Sequence, residues 1–467
     1  MKTRPLTLPR RDAPARGPRS LLAACSILGL LAPAGAVRAA EVPQLAVEQY
    51  RLKNGLTVIL HQDPRLPVVA VNVWYDVGGL HEKPGKSGFA HLFEHMMFQG
   101  SRHVPEDAHF PLLQAAGATD VNGSTDFDRT NYFETVPKNQ LALALWLEAD
   151  RMGFLLDHIN ESSFKNQLEV VKNERRQSVE QAPYQLLEEK MVQTMYPAPH
   201  PYHGNVIGSM DDLSSASLND VREFWLTYYT PENASLAVVG DIDPATVKAE
   251  IERYFGSLVG RKKPPAPVVT PPVLHGQTIV RHEETVGRLP KVIVQWMAPP
   301  PYAPGSSELE LLAEILSGTR ASRLDAKLVY ADQIAQTASV HLRSLKGGSV
   351  FELSVTLRPG HTAEEGLAAI DQVLADLKKH PPTAAELARA KNSLLTRSVL
   401  RLEGGNARAE LFQDYVLYLG DANKLAWELE HTAQATLPDV RAAAERTLTG
   451  DRLVGLAIPT MTAGGAK

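Results

Sequence analysis

The alternation of apolar and polar positions divides the chain into two stretches that begin alike. Val68-Val69-Ala70-Val71-Asn72 follows Arg65-Leu66-Pro67, and Lys291-Val292-Ile293-Val294-Gln295 follows Arg288-Leu289-Pro290. Both are β-branched runs after a Leu-Pro entry, which predicts a strand in each. A helix is expected next in each case, around 87–99 and 306–317, and each stretch closes on another apolar strand, 234–241 and 453–458. Strands and long helices mix throughout, so the expected class is α+β, with two similar α/β sandwich domains. Between them the run RKKPPAPVVTPPVLHGQ (261–277) has closely spaced prolines and no helical period, the mark of an extended, semi-rigid linker. The expected boundaries are 45–258 for the first domain, 259–277 for the linker and 278–462 for the second domain.

The first 39 residues depart from this pattern. Arg10, Arg11, Arg16 and Arg19 precede an apolar stretch from Leu21 to about Ala36, and Val37-Arg38-Ala39 fits a cleavage site with small outer residues. That is the layout of a secretory signal peptide, so the protein is expected to be exported, periplasmic or secreted. Pro33 and Gly35 interrupt a run already short for a membrane span, and no span is expected in the mature chain. Leu22-Ala23-Ala24-Cys25 resembles a lipoprotein box, but most of the apolar run follows Cys25 instead of preceding it. Arg10-Arg11 is a weak twin-arginine signal, being far from the apolar run.

Export changes the charge. Removing 1–39 takes seven basic residues and one acidic residue from totals of 48 and 53, which leaves 41 and 52 and a net charge of −11. An acidic chain without a basic block argues against nucleic acid as a partner. Cys25 is the only cysteine, so a chain cut near Ala39 has neither disulfide nor thiol chemistry.

His91-Leu92-Phe93-Glu94-His95 carries the strongest chemical signal. Residues four apart share a helix face, so both imidazoles can reach one ion with Glu94 beside them. The flanking residues Phe89, Ala90, Leu92, Phe93, Met96, Met97 and Phe98 are apolar, and burying two histidines and a glutamate unpartnered among them is costly. The spacing is that of the inverted zinc-peptidase motif. A catalytic zinc needs a third protein ligand and an open position. A helix expected over 164–180 offers Glu174 at the edge of an arc of Phe164, Leu168, Val170, Val171 and Val179, with Glu169 and Glu180 pointing away. On these facts alone Glu174 is either the third ligand or a solvated glutamate on a charged helix. His200-Pro201-Tyr202-His203 is a proline-containing loop and reads as structural.

The segments GFAHLFEHMMFQGS, VNGSTDFDRTNYF, VVKNERRQSVE, HPYHGNVIGS and YYTPENASLAVVGD resemble the pitrilysin and mitochondrial processing peptidase family of inverted-motif zinc peptidases. The resemblance runs through about 50–258 and continues more weakly at SGTRASRL and around 400–412. It implies one Zn2+ per chain held by His91, His95 and Glu174, a chain that forms half of a peptidase chamber, and zinc-bound water as nucleophile with Glu94 as general base. It also implies that a peptide substrate adds as a strand along an edge of Asn122, Gly123, Ser124 and Thr125; read without it, Asn122-Gly123 is also the pair of a hairpin turn.

Two departures bear on activity. The family often has a glutamate seven residues before the third ligand, where this chain has Gln167, which can support a ligand by hydrogen bonding but carries no charge. Active members have an Arg and a Tyr after Ser-Arg-Leu in the second half; Ser322-Arg323-Leu324 is present here, but the two positions are Val329 and Gln336, and Tyr330 is one residue out of register. The expectation is a zinc endopeptidase acting on peptides or unfolded segments and completed by a related, zinc-free partner that supplies the Arg and Tyr, or otherwise a homodimer. The alternative is a catalytically weak subunit that binds peptides or scaffolds a complex.

Overall fold

The two Leu-Pro entries lead into equivalent strands of two sheets. The computed structural model describes residues 45–460, so the expected signal segment, with Cys25, lies outside the described residues. The first sheet contains β1 (Val47–Arg51), β2 (Thr57–Gln62), β3 (Val68–Tyr75), β4 (Thr119–Thr125), β5 (Thr130–Pro137) and β6 (Ala234–Gly240), in the order β1-β2-β6-β3-β5-β4. The second contains β7 (Gln277–Glu284), β8 (Lys291–Ala298), β9 (Ala335–Arg343), β10 (Ser349–Leu357) and β11 (Arg452–Pro459), in the order β7-β11-β8-β10-β9. Apart from β1 the two orders are the same. β2 runs parallel to β6 as β7 does to β11, and the remaining pairs are antiparallel in both. The fold is therefore α+β and internally repeated, with β3 matching β8 and β6 matching β11.

Each sheet buries one face under helices of its own half. In the first half these include α1 (Phe89–Met96), α2 (His109–Ala115), α3 (Leu141–Phe154) and α4 (Glu161–Arg175), and the core gathers Val71, Val73, Phe93, Met96, Leu145 and Phe164. The opposite face of each sheet is covered by a helix from the other half. Leu187, Met191 and Met195 of α5 (Gln185–Met195) pack with Ile293, Leu453 and Ala457, and Gly455 on β11 makes room, since a Cβ there would lie 2.1 Å from Met191 Sδ. In return Ala409, Phe412 and Tyr415 of the Gly405–Leu419 helix pack with Ile59, Ala237 and Val239. A sequential division of the chain misses this exchange.

Residues 260–275 form neither helix nor strand, in keeping with their prolines, but they are pinned to the halves they join. The Arg261 guanidinium lies over the Trp225 ring and donates to Tyr229 O, Lys263 pairs with Asp76, and Val269 and Leu274 pack in the cluster around α5.

Candidate metal centre

α1 has only eight residues, too few to be stable alone, so its surroundings must hold it. The Glu82 carboxylate accepts the backbone N–H groups of Gly88 and Ala90, which satisfies two donors at the helix start. Gly88 and Gly208 cross at backbone contact: a Cβ on Gly88 would lie 2.5 Å from Ile207 O, and one on Gly208 2.4 Å from Ser87 O. Arg175, buried at the end of α4, donates to Gly208 O and forms a two-point pair with Glu189 of α5. One side chain thus ties the Glu174 helix to the loop that grips α1.

α4 starts earlier than expected, at Glu161, with Asn160 Oδ1 accepting from Ser162 and Ser163, and gives way at Arg176–Glu180 to a π-helical turn, a feature frequent at functional sites. Val170, expected in the apolar arc, is instead 41% exposed, because the buried stripe runs through Phe164, Gln167, Leu168, Val171 and Arg175.

His91, His95 and Glu174 converge, with one ligand atom from each within 4.8 Å of the others. His95 Nε2 is 3.3 Å from Glu174 Oε2, and His91 Nε2 is 3.8 Å from Glu174 Oε1. Burial, aided by the neighbouring His95, pulls His91 down to about 4. Burial also opposes protonation of His95, but the Glu174 carboxylate outweighs it and holds that ring above its ordinary value. Glu174 is held below the usual carboxylate range by the hydrogen bond from His95, against partial burial. The donor set fits a cation: His95 Nδ1 lies 3.3 Å from Gln167 Oε1, an acceptor, which leaves Nε2 facing Glu174 and His91, where a metal ion would take the place of the proton that Nε2 shares with Glu174. Two imidazoles and a carboxylate with room for one more group is the donor set of a catalytic zinc site.

Glu94 lies beside these groups and is buried; burial raises it above its ordinary value, against a hydrogen bond from Thr125 Oγ1 to Oε2 at 2.6 Å. Asn122, Gly123 and Ser124 lie within β4 and not in a turn, and β4 is the outermost strand on that side of its sheet. Side chains alternate along a strand. Gly123 and Thr125 face Glu94, while Ser124 faces away, toward Asn131. A Cβ at 123 would lie 3.0 Å from Glu94 Cγ and Oε1, so glycine lets the strand lie against the carboxylate. A cavity of about 510 Å³ joins His91, Glu94, His95, Gln167 and Glu174 to the backbone of 122–125. Glu82 and Arg175 are not among the candidates from sequence; Thr125 is there only as part of the edge segment, and its bond to Glu94 is what the structure adds.

A second cluster, His109, Glu134 and Glu148, is buried under α3. It already has its cation: Arg151 pairs with Glu148. Burial and Glu148 push Glu134 well above its ordinary value, which favours its neutral form beside the Glu148–Arg151 pair. His200 and His203 also find ordinary partners, the carbonyls of Thr270 and Tyr196. In the second half, Val329 packs against the core and Gln336 is exposed on β9, so neither position presents a guanidinium or a phenol. Tyr330 is 46% exposed, with Arg320 stacked 4.6 Å from its ring.

The repeated sheets and the inverted histidine pair are those of a metallopeptidase fold, with the candidate ligands His91, His95 and Glu174, among the described residues, all in the first half. Residues 57–203 match Insulinase (Peptidase family M16), and residues 215–394 match the Peptidase M16 inactive domain. The chain is 32% identical over 374 residues to the zinc protease PqqE of Helicobacter pylori, covering 79% of this chain and 83% of that one. A crystal structure of a protease from Helicobacter pylori superposes with a TM-score of 0.84 at 29% identity, over 89% of this chain and all of that one. The first half of the periplasmic protease PqqL from Escherichia coli shares the fold, with a TM-score of 0.74 at 17% identity over 90% of this chain and 93% of that one. The chain belongs to peptidase family M16. No described helix is long and apolar enough to cross a membrane.

Proposed function

We propose that this protein is an exported zinc endopeptidase subunit that cleaves peptides or unfolded segments, with zinc held by His91, His95 and Glu174 and with Glu94 as general base. The observation that carries the reading is the placing of Glu94: a buried carboxylate raised by burial, next to the ligands without being one of them. Zinc held there supplies Lewis-acid activation of water and of a peptide carbonyl. Thr125 occupies Glu94 Oε2, so Oε1 is the atom that takes a proton and later returns it to the leaving amine. The outer edge of β4 receives the peptide as an added strand through the backbone of 122–125, which reads little of the side-chain sequence. Gln167 orients His95. Export rests on residues 1–39 and is supported by the description of PqqL as periplasmic.

The chain works with a related subunit that has no zinc motif and carries the Arg and Tyr. Support comes from Val329 and Gln336, and from full-length PqqL, of which this chain covers 48%, the size of one half. The same two positions favour a second reading, a weakly catalytic peptide-binding subunit. Metal analysis combined with turnover of an unstructured protein such as casein separates the readings. The first expects one zinc per chain, loss of zinc in Glu174→Gln, and retained zinc without hydrolysis in Glu94→Gln. Wild-type zinc content in Glu174→Gln, or near-normal turnover in Glu94→Gln, overturns the assignments.

A further inference from the structure

β4 is weakly held for a strand assigned to receive substrate. It pairs only with β5, the register breaks between Thr119 and Asn122, and Asp120 sits at φ 55°, outside extended geometry. Apart from Thr119, which pairs with Thr135, the paired stretch is Asn122–Thr125. On the face away from the metal ligands this stretch is fastened by side chains. Ser124 Oγ donates to Asn131 Oδ1 at 2.6 Å, and Arg129 Nη1 donates to Ser124 O at 2.9 Å and to Ser124 Oγ at 2.6 Å. Asn131 then donates to Glu410 Oε1 at 2.8 Å, and Asn72 of β3 donates to the same oxygen at 2.6 Å. Glu410 belongs to the Gly405–Leu419 helix, which the second half lends to this sheet.

We propose that Glu410 is a positioning residue for the substrate strand: through Asn131, Arg129 and Ser124 the second half fixes where β4 lies relative to Glu94. The proposal rests on the reading that peptides add to β4. Packing alone does not call for a carboxylate here, because Ala409 and Phe412 already fill the contact between this helix and the sheet. A half-buried carboxylate that faces two buried amides, Asn72 and Asn131, is costly unless those partners are in place, so its network holds one arrangement in preference to others. Gln413 provides an internal control. It lies in the same contact and donates to Asn72 O and Ser235 O at the middle of the sheet, with no link to β4.

The test has two arms, both on the full chain carrying Glu94→Gln. Hydrogen–deuterium exchange follows the segment 119–125, and fluorescence anisotropy follows binding of fluorescein-labelled β-casein. Adding Glu410→Ala removes the acceptor of two buried amides and is expected to speed exchange of β4 several-fold. It is also expected to weaken casein binding about tenfold, equivalent to ~1.4 kcal/mol, with one zinc retained. Adding Glu410→Gln keeps an acceptor oxygen and restores both to within about twofold, while Gln413→Ala leaves β4 exchange as in the parent. Unchanged β4 exchange in Glu410→Ala, or the same increase in Gln413→Ala, overturns the proposal. A parent that does not bind casein counts against the peptidase reading instead, and the exchange arm still decides the role of Glu410.

Discussion

Thr125 Oγ1 donates to Glu94 Oε2 at 2.6 Å, joining the edge strand to the carboxylate 31 residues earlier on the metal-ligand helix. The strand assigned to receive the peptide therefore also orients the group assigned to take the proton. Gly123 completes the arrangement from the same strand face, where its lack of a side chain sets the closest approach of strand to base.

Replacing Thr125 with valine keeps the shape and removes the donor. A hydrogen bond to a carboxylate stabilises its charged form, so its loss raises Glu94 further above its ordinary value. The base works only when ionised, so the acidic limb of the pH profile of kcat/KM should move to higher pH. kcat should fall about tenfold, the effect of disturbing one positioned hydrogen bond worth ~1.4 kcal/mol. Zinc content should stay at one per chain. An unmoved acidic limb would show that Thr125 does not act on the base.

Gly123→Ala should be more damaging than its size suggests. The added methyl would meet Glu94 Cγ and Oε1 at 3.0 Å and Phe98 Cε2 at 3.2 Å, so either the strand or the carboxylate must shift. A displacement of that order at a reacting group costs on the order of a hundredfold in kcat/KM. Metal analysis and circular dichroism should match the parent, because β4 is an edge strand and the ligands lie on α1 and α4. Turnover within a factor of two of the parent would mean that the pocket relaxes around the methyl.

His91, Glu94 and His95 are legible in the sequence because the helical spacing that lets two imidazoles share an ion is itself the pattern. The repeated fold is legible for a similar reason, since two Leu-Pro entries into β-branched runs mark β3 and β8. Other features arise only from tertiary contact. Arg175 acts through Gly208 and Glu189, neither of them near in sequence. The exchange of α5 and the Gly405–Leu419 helix is invisible to periodicity, which shows that a helix has a buried face but not which sheet it meets. Val170 misleads for the same reason: an apolar residue beside a buried stripe need not belong to it.

Arg323, which carries part of the family resemblance in the second half, has a structural task. Its guanidinium donates from Nε and Nη2 to the two oxygens of Glu386, at 2.8 and 3.0 Å, at the start of the Ala384–Arg401 helix. That pairing holds Glu386 down to about 2. A carboxyl depressed by folding contributes stability that is present above its ordinary pKa, near 4.5, and is lost as pH falls through about 2. Arg323→Ala should therefore lower stability by ~2 kcal/mol at pH 7, seen as a denaturation midpoint several degrees lower, with little effect on zinc. The gap between parent and variant should narrow as pH drops below about 4.5. A gap independent of pH would assign the loss to packing instead of the pair.

The second half bears on activity through what Val329 and Gln336 cannot do. Val329 packs against the core and Gln336 projects from β9, so neither supplies the charged or phenolic donor that the family places there. Losing one donor to a developing oxyanion costs about 3–4 kcal/mol, a factor of a hundred to a thousand in kcat. With the proposed base Glu94 and the proposed ligands His91, His95 and Glu174 all present, the chain alone should be slow and not inert. A related subunit without the His-x-x-Glu-His motif, but with the Arg and Tyr, should raise casein turnover by at least about a hundredfold when mixed in equal amounts. It should also co-purify with this chain from the native host. Substituting the partner's Arg should remove the gain while leaving the complex intact, because the donor and the subunit contact are separate contributions. Full activity of the isolated chain, unchanged on adding the partner, would defeat the heterodimer.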